Sequence, residues 1–87
     1  MVREVVWTRP ALEDLEEVAS QIARASGAYA SSFVREVREA AMSLGDFAER
    51  GQVVPEFRDP TVRELLIRPY RLVDEIIGDQ VLLIGFS

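Results

Sequence analysis

Residues 62–84 read VRELLIRPYRLVDEIIGDQVLLI and carry the clearest structural signal in this chain of 87 residues. Apolar and β-branched side chains dominate the segment, and turn-forming residues interrupt it twice, at Pro69 and at Gly78-Asp79. A Gly-Asp pair between two apolar runs is typical of a two-residue β-hairpin. The segment therefore predicts three consecutive strands joined by short turns.

The last of these strands, Val81 to Phe86, is apolar nearly throughout and has two explanations. A strand of this kind is usually internal to a sheet and covered on both faces. The alternative is a four-stranded sheet with helices on one face only, whose remaining apolar surface a partner protein covers. The sequence supports both explanations equally.

The residues before this segment predict one strand and a helix. The strand spans Arg3 to Trp7, and Thr8 then offers a helix N-cap, with Pro10 in the first turn. The helix carries a single apolar stripe at three-and-four spacing, which predicts one buried face. Gly27 is positioned to end it as a C-terminal cap.

A second helix is predicted from about Ala28 to Ala48, with Phe47 on its inner face and Gly51 closing it. So little chain separates the two helices that they should pack as an antiparallel hairpin. Gln52 to Thr61 contains two prolines and predicts an irregular connection. Residues 1–87 therefore form a single α+β domain of order β-α-α-β-β-β, with a helical hairpin packed on a small antiparallel sheet.

Composition narrows the classes of function. Fifteen acidic residues outnumber ten basic ones, and a net charge of −5 argues against direct nucleic-acid binding. All the basic residues are arginine, and the absence of lysine, histidine and cysteine removes common acid–base groups, zinc ligands and disulfides. We expect no cofactor and no metal. No apolar run approaches the roughly 20 residues of a membrane span, and no signal peptide is evident, so a cytoplasmic protein is predicted.

Several short sequence features follow one another in a definite order along the whole chain. They are Trp7-Thr8 before the proline-containing helix start, Phe33-Val34 in the second helix, the run from Gly51 to Glu56, and Tyr70-Arg71-Leu72-Val73 before the Gly78-Asp79 turn. Together they resemble the ParE/RelE superfamily of bacterial toxins from type II toxin–antitoxin systems. The ParE branch is the more similar, because RelE-like nucleases carry lysines that are absent here.

The resemblance implies a toxin that a cognate, ParD-like antitoxin wraps and neutralises in a hetero-oligomer. For ParE relatives it implies inhibition of DNA gyrase by binding, without an enzymatic step and without membrane attachment. For RelE relatives it implies ribosome-dependent mRNA cleavage. A third alternative is a non-toxic antitoxin-binding module of the same fold. The chain ends at Ser87, where members commonly continue into a short basic tail, and Asp74 stands where an aromatic residue is common.

Four arginines and two acidic residues between Arg58 and Arg71 give this region a local charge of +2. Such a stripe suits an acidic partner or a phosphate, or it pairs with carboxylates of the same chain. An antitoxin is expected in the groove between the helices and the sheet edge. Candidate contacts for target or antitoxin are Arg63, Arg68, Tyr70, Arg71, Val81, Leu83 and Phe86.

A nuclease would need a base, an acid and cations around the scissile phosphate. The nearby residues that offer such groups are Arg63, Tyr70, Arg71 and Glu75. Arginine stays protonated and is a poor base, so this set recommends a binding protein over an enzyme. Trp7, at a strand–helix junction, is expected in the core.

Overall fold

The computed structural model describes residues 2–87, which form two helices and a five-stranded sheet. This arrangement confirms the predicted α+β fold with a helical hairpin on a small sheet. In chain order the elements are β1 (Glu4–Trp7), α1 (Arg9–Ala23), α2 (Gly27–Ser43), β2 (Gln52–Val53), β3 (Val62–Ile67), β4 (Tyr70–Ile77) and β5 (Gln80–Phe86), with single 3-10 turns at Ala48–Arg50 and Pro55–Phe57.

The strands lie in the order β1-β5-β4-β3-β2. The predicted segment forms the antiparallel β3-β4-β5 meander, and Gly78 takes the left-handed φ of 59° in the last hairpin. Two details differ from the predicted sheet. The chain adds a short edge strand, β2, beside β3, and β1 pairs parallel to β5, which makes the sheet mixed. Two helices separate β1 from the meander, and a connection of that length permits parallel pairing.

Side-chain caps fix the helix starts. Thr8 Oγ1 accepts a hydrogen bond from the Ala11 amide, which confirms the predicted N-cap of α1. Ser26 Oγ accepts from the Tyr29 amide at 3.1 Å and caps α2 in the same way. Gly27 is therefore the first residue of α2 and not the C-terminal cap of α1, so that prediction is wrong. A serine N-cap positioned one residue earlier decides the boundary.

α2 ends at Ser43, five residues before the predicted end. The chain turns there because Gly45 packs against β1: its carbonyl accepts from the Arg3 amide at 2.7 Å, and a Cβ would lie 2.8 Å from the Arg3 carbonyl oxygen. Phe47 consequently lies outside the helix with 67% of its surface exposed. Gly51 does not close α2 but packs beneath β3. The predictions for Phe47 and Gly51 are wrong.

Both helices cover one face of the sheet. The hydrophobic core lies between the helices and the sheet. It consists of apolar residues from both layers, chiefly Leu15, Phe33, Val37, Leu44, Leu65, Ile67, Leu72, Val81, Leu83 and Phe86. β5 is internal, between β1 and β4, yet Leu82 and Ile84 on its other face are only half-buried. The strand is therefore internal, as the first explanation expects, but among residues 2–87 no second layer lies over Leu82 and Ile84. Among residues 2–87, neither helix has the length and apolarity that a membrane span needs.

Candidate partner-binding surface

An apolar groove runs beside edge strand β1, between that strand and the two helices. It is lined by Trp7 of β1, by Leu12, Leu15, Glu16 and Ala19 of α1, and by Val34 and Arg38 of α2. The groove has a volume of about 330 Å³. It lies where the sequence analysis expected an antitoxin, at the sheet edge beside the helical hairpin.

The groove continues into a second depression at the other end of β1. Trp7 and Arg38 line both parts, and the second part also includes Val5 and Met42. Met42 exposes 72% of its surface and Leu12 exposes 42%, so the two depressions together present apolar side chains to solvent. Trp7 packs partly against the core, as predicted, and its remaining surface faces the groove. We call the combined surface the Trp7 groove.

The Trp7 groove was not identified residue by residue from the sequence. Leu12 belonged to the predicted stripe of α1, but its exposure depends on how the helix rotates against the sheet. Met42 and Arg38 both lie on α2, and their four-residue spacing puts them on one helix face. The sequence therefore shows that Arg38 and Met42 share a helix face. It does not show that β1 lies beside this face.

Arg68 and Arg71 lie at one end of the sheet, and both are exposed. Arg68 sits in the β3–β4 turn. The Arg71 guanidinium contacts the Glu64 carboxylate at 2.8 Å, and its backbone pairs with that of Ser87. One arginine of this positively charged region, Arg71, therefore pairs with a carboxylate of the same chain. Because this pair is solvent-exposed, it contributes at most about 1 kcal/mol and leaves Arg71 available to a partner.

Arg63 is placed differently, on the helix-facing side of β3. Its guanidinium donates to the Gly51 carbonyl at 3.0 Å. Directly opposite in β4 stands Asp74, which has no exposed surface. Burial raises the pKa of Asp74 to about 7, although the nearby Arg63 charge acts in the opposite direction. The alternation of Asp74 with the inward residues Leu72 and Ile76 is the sequence signal for this burial, which the sequence analysis above does not predict.

Tyr70 belongs to an aromatic cluster inside the protein. Its ring stacks on Phe86 at 5.4 Å between centroids and meets Phe33 edge-on at the same distance. Phe86, Val81 and Leu83 are buried in the core between β5 and the helices. The prediction of Val81, Leu83 and Phe86 as partner contacts is therefore wrong, because the register of β5 turns them inward and leaves Leu82 and Ile84 on the open face.

The four nuclease candidates do not converge on one site. In the β3–β4 register Arg63 and Tyr70 face the helices, whereas Arg71 and Glu75 face the opposite side of the sheet. Arg63 and Tyr70 are themselves at opposite ends of their shared face, next to Asp74 and Ile67 respectively. The sheet thus separates the groups that would have to act on one phosphate.

Comparison with known proteins identifies the family. Residues 5–86 match the family model described as "ParE toxin of type II toxin-antitoxin system, parDE". A solved structure titled "Chromosomal ParDE TA system from P. aeruginosa" superposes with a TM-score of 0.81 at 25% sequence identity, covering 99% of this chain and 95% of that one. A search of curated proteins finds no match. The agreement of sequence model, fold and element order shows that this chain belongs to the ParE toxin family of type II toxin–antitoxin systems.

Proposed function

We propose that this ParE family member acts by binding, that it inhibits DNA gyrase in the cytoplasm, and that a cognate ParD-like antitoxin neutralises it by occupying the Trp7 groove. The observation that carries the proposal is the groove itself. It joins exposed apolar side chains to an edge strand, and peptides commonly bind at both kinds of feature.

The chemistry of the Trp7 groove defines the expected antitoxin segment. Leu12, Trp7 and Met42 offer apolar contacts spaced along the groove. Arg38 lines both parts and supplies a positive charge, beside Glu16 in the first part and Arg3 and Asp46 in the second. The segment that fits is an amphipathic stretch with apolar anchors and at least one carboxylate placed against Arg38.

Arg68 and Arg71 are our candidates for the contact with gyrase. They are exposed, they share one end of the sheet, and they lie away from β1 and the Trp7 groove. Their charge suits an acidic target surface. An antitoxin in the groove would then act by holding the toxin in a complex too large to reach gyrase.

An enzymatic mechanism has less support. A ribonuclease would need Arg63, Tyr70, Arg71 and Glu75 around one phosphate, and these residues lie on two faces of the sheet. The non-toxic antitoxin-binding module remains the second candidate, because it requires the Trp7 groove but not the Arg68–Arg71 end of the sheet.

Binding in the groove is tested by purifying the protein with the product of the adjacent gene and measuring affinity. We expect Leu12→Glu and Met42→Glu to weaken the complex at least tenfold, since each places a carboxylate on an apolar contact. Leu66→Glu is the matched control, because Leu66 is similarly exposed but lies on β3, which β4 and β5 separate from β1. Equal weakening by all three variants would contradict the proposed binding site.

Target identity is tested by plasmid topology after induced expression in a bacterial host. Relaxed or linearised plasmid together with growth arrest supports gyrase inhibition. Arrest with normally supercoiled plasmid and cleaved mRNA would replace it with the RelE-like activity. Continued growth with a complex still forming would favour the non-toxic module.

A further inference from the structure

Asp74 and Arg63 form a buried polar pair that the proposed binding surfaces do not use. Asp74 has no exposed surface, and within residues 2–87 neither of its carboxyl oxygens has a hydrogen-bond partner. The Nε of Arg63, on the facing strand, is also buried without a partner. Buried polar atoms are seldom left unpaired. Three such atoms on facing residues therefore point to a second arrangement of the same side chains.

Arg63 has two acceptors in its surroundings. It donates to the Gly51 carbonyl at 3.0 Å, and no Arg63 nitrogen lies within the 4.0 Å of an ion pair with Asp74. Gly51 itself adjoins both side chains: a Cβ there would lie 3.2 Å from Arg63 Cβ and 3.5 Å from Asp74 Oδ1. Gly51 thus lies against both side chains, so the carbonyl group that Arg63 holds and the carboxyl group of Asp74 are neighbours.

The residues around Asp74 determine which of its protonation states is favoured. Of the residues that face it across the sheet, Arg63 is charged and Leu83 is apolar. The buried residues of the helical layer are apolar. Glu64 and Glu75 point to the opposite face of the sheet. Glu49 and Arg50, which precede Gly51, are exposed to solvent. Burial disfavours the carboxylate and raises the pKa of Asp74 to about 7, with Arg63 opposing the shift.

We propose that Arg63 changes its hydrogen-bond acceptor when the charge of Asp74 changes. The Arg63 guanidinium donates to the Gly51 carbonyl while Asp74 is neutral, and donates to the Asp74 carboxylate when Asp74 ionises. Gly51 then loses its side-chain donor. Since Gly51 leads directly into β2, a two-residue edge strand, the exchange loosens residues 51–54 from β3 as the pH rises through neutrality.

The exchange is tested by NMR titration of the full chain from pH 5 to pH 9. We expect the Asp74 carboxyl carbon, the Arg63 Nε–H signal and the Gln52 amide, which reports on the Gly51 carbonyl, to change with one common midpoint. In Asp74→Asn the Arg63 and Gln52 signals should stay constant. Glu64→Gln, which removes the carboxylate on the other face, is the control and should keep the wild-type midpoint. Arg63 and Gln52 signals that do not move while Asp74 titrates would overturn the proposal.

Hydrogen exchange supplies a second measurement. The Val54 amide donates to the Val62 carbonyl and reports on the attachment of this segment to β3. At pH 8, after correction for intrinsic exchange, Asp74→Asn should slow Val54 exchange at least about tenfold, the change that one pKa unit produces. In the wild type Val54 should also exchange faster than Val37 of the core. Equal opening constants for Val54 and Val37 would mean that the segment opens only with the whole protein, and would overturn the proposal.

Discussion

Asp74 pairs in register with Leu83 across strands β4 and β5, so a carboxyl group stands beside a fully buried leucine. The position suits an apolar side chain, and the strand alternation leaves the carboxyl group no route to solvent. Burial therefore favours the neutral form and raises the pKa of the Asp74 carboxyl group above its ordinary range. The stability of the whole protein should depend on pH for this reason.

Asp74→Asn should raise the free energy of unfolding, by at least about 1 kcal/mol at pH 8. The pKa of Asp74 is raised by burial to about 7 in the folded state, from its ordinary value of 3.8. Between these values the folded state binds more protons than the unfolded state, so wild-type stability is greatest below the lower value and falls as the pH rises towards the upper one. Urea unfolding at several pH values measures this. The difference between variant and wild type should widen from pH 4 to pH 7 and then level off; a difference independent of pH would contradict the burial argument.

Gly51→Ala should destabilise the protein by roughly 1–3 kcal/mol, as overpacked sites do. The new Cβ would lie 3.2 Å from both Arg63 Cβ and the Glu64 carbonyl oxygen, and the second of these is backbone that cannot turn aside. Gly27→Ala is the matched control, because a Cβ there meets nothing within 4 Å and α2 gains a better helix former. Thermal unfolding should show a lower midpoint for the first variant and an equal or higher one for the second.

Leu83→Ala and Leu82→Ala distinguish the two faces of β5. Leu83 is fully buried under the helices, so its truncation should lower the free energy of unfolding by about 2–5 kcal/mol. Leu82 is half-buried on the open face, and its truncation should have a clearly smaller effect. Chemical denaturation of the two variants side by side tests the register. Equal losses would show that a second layer covers the open face in solution.

Arg68→Ala combined with Arg71→Ala should abolish growth arrest while leaving antitoxin affinity within about threefold, because neither arginine lines the Trp7 groove and salt screens distant charges. Folding should be nearly unaffected, since the exposed Arg71–Glu64 pair contributes at most about 1 kcal/mol. Arg35→Ala, an exposed arginine of α2, is the control and should remain toxic. Growth curves and pull-down with the antitoxin measure the two properties. Loss of both in the double variant would place the antitoxin, and not gyrase, at these arginines.

Local sequence signals determined the main elements of this protein. Thr8 fixed the start of α1 through its own hydroxyl, the three-and-four stripes fixed the helical hairpin, and the Gly78-Asp79 turn fixed the β4–β5 hairpin. Each depends on residues close together in the chain, and for that reason the sequence alone predicted them. Ser26, whose hydroxyl caps α2, is an equally local signal, and it shows why Gly27 is not the C-terminal cap of α1.

Contacts between distant residues decided the rest. The strand register turned Val81, Leu83 and Phe86 into the core, and packing of Gly45 on β1 ended α2 before Phe47. The Trp7 groove and the Arg63–Asp74–Gly51 contact each join segments that are far apart in sequence. A periodic pattern specifies which residues share a face of an element, but not which neighbour that face meets. The amino-acid sequence thus determined the two helices, four of the five strands and the family, while the tertiary structure decided where α2 ends, which side chains line the Trp7 groove and which carboxyl group is buried.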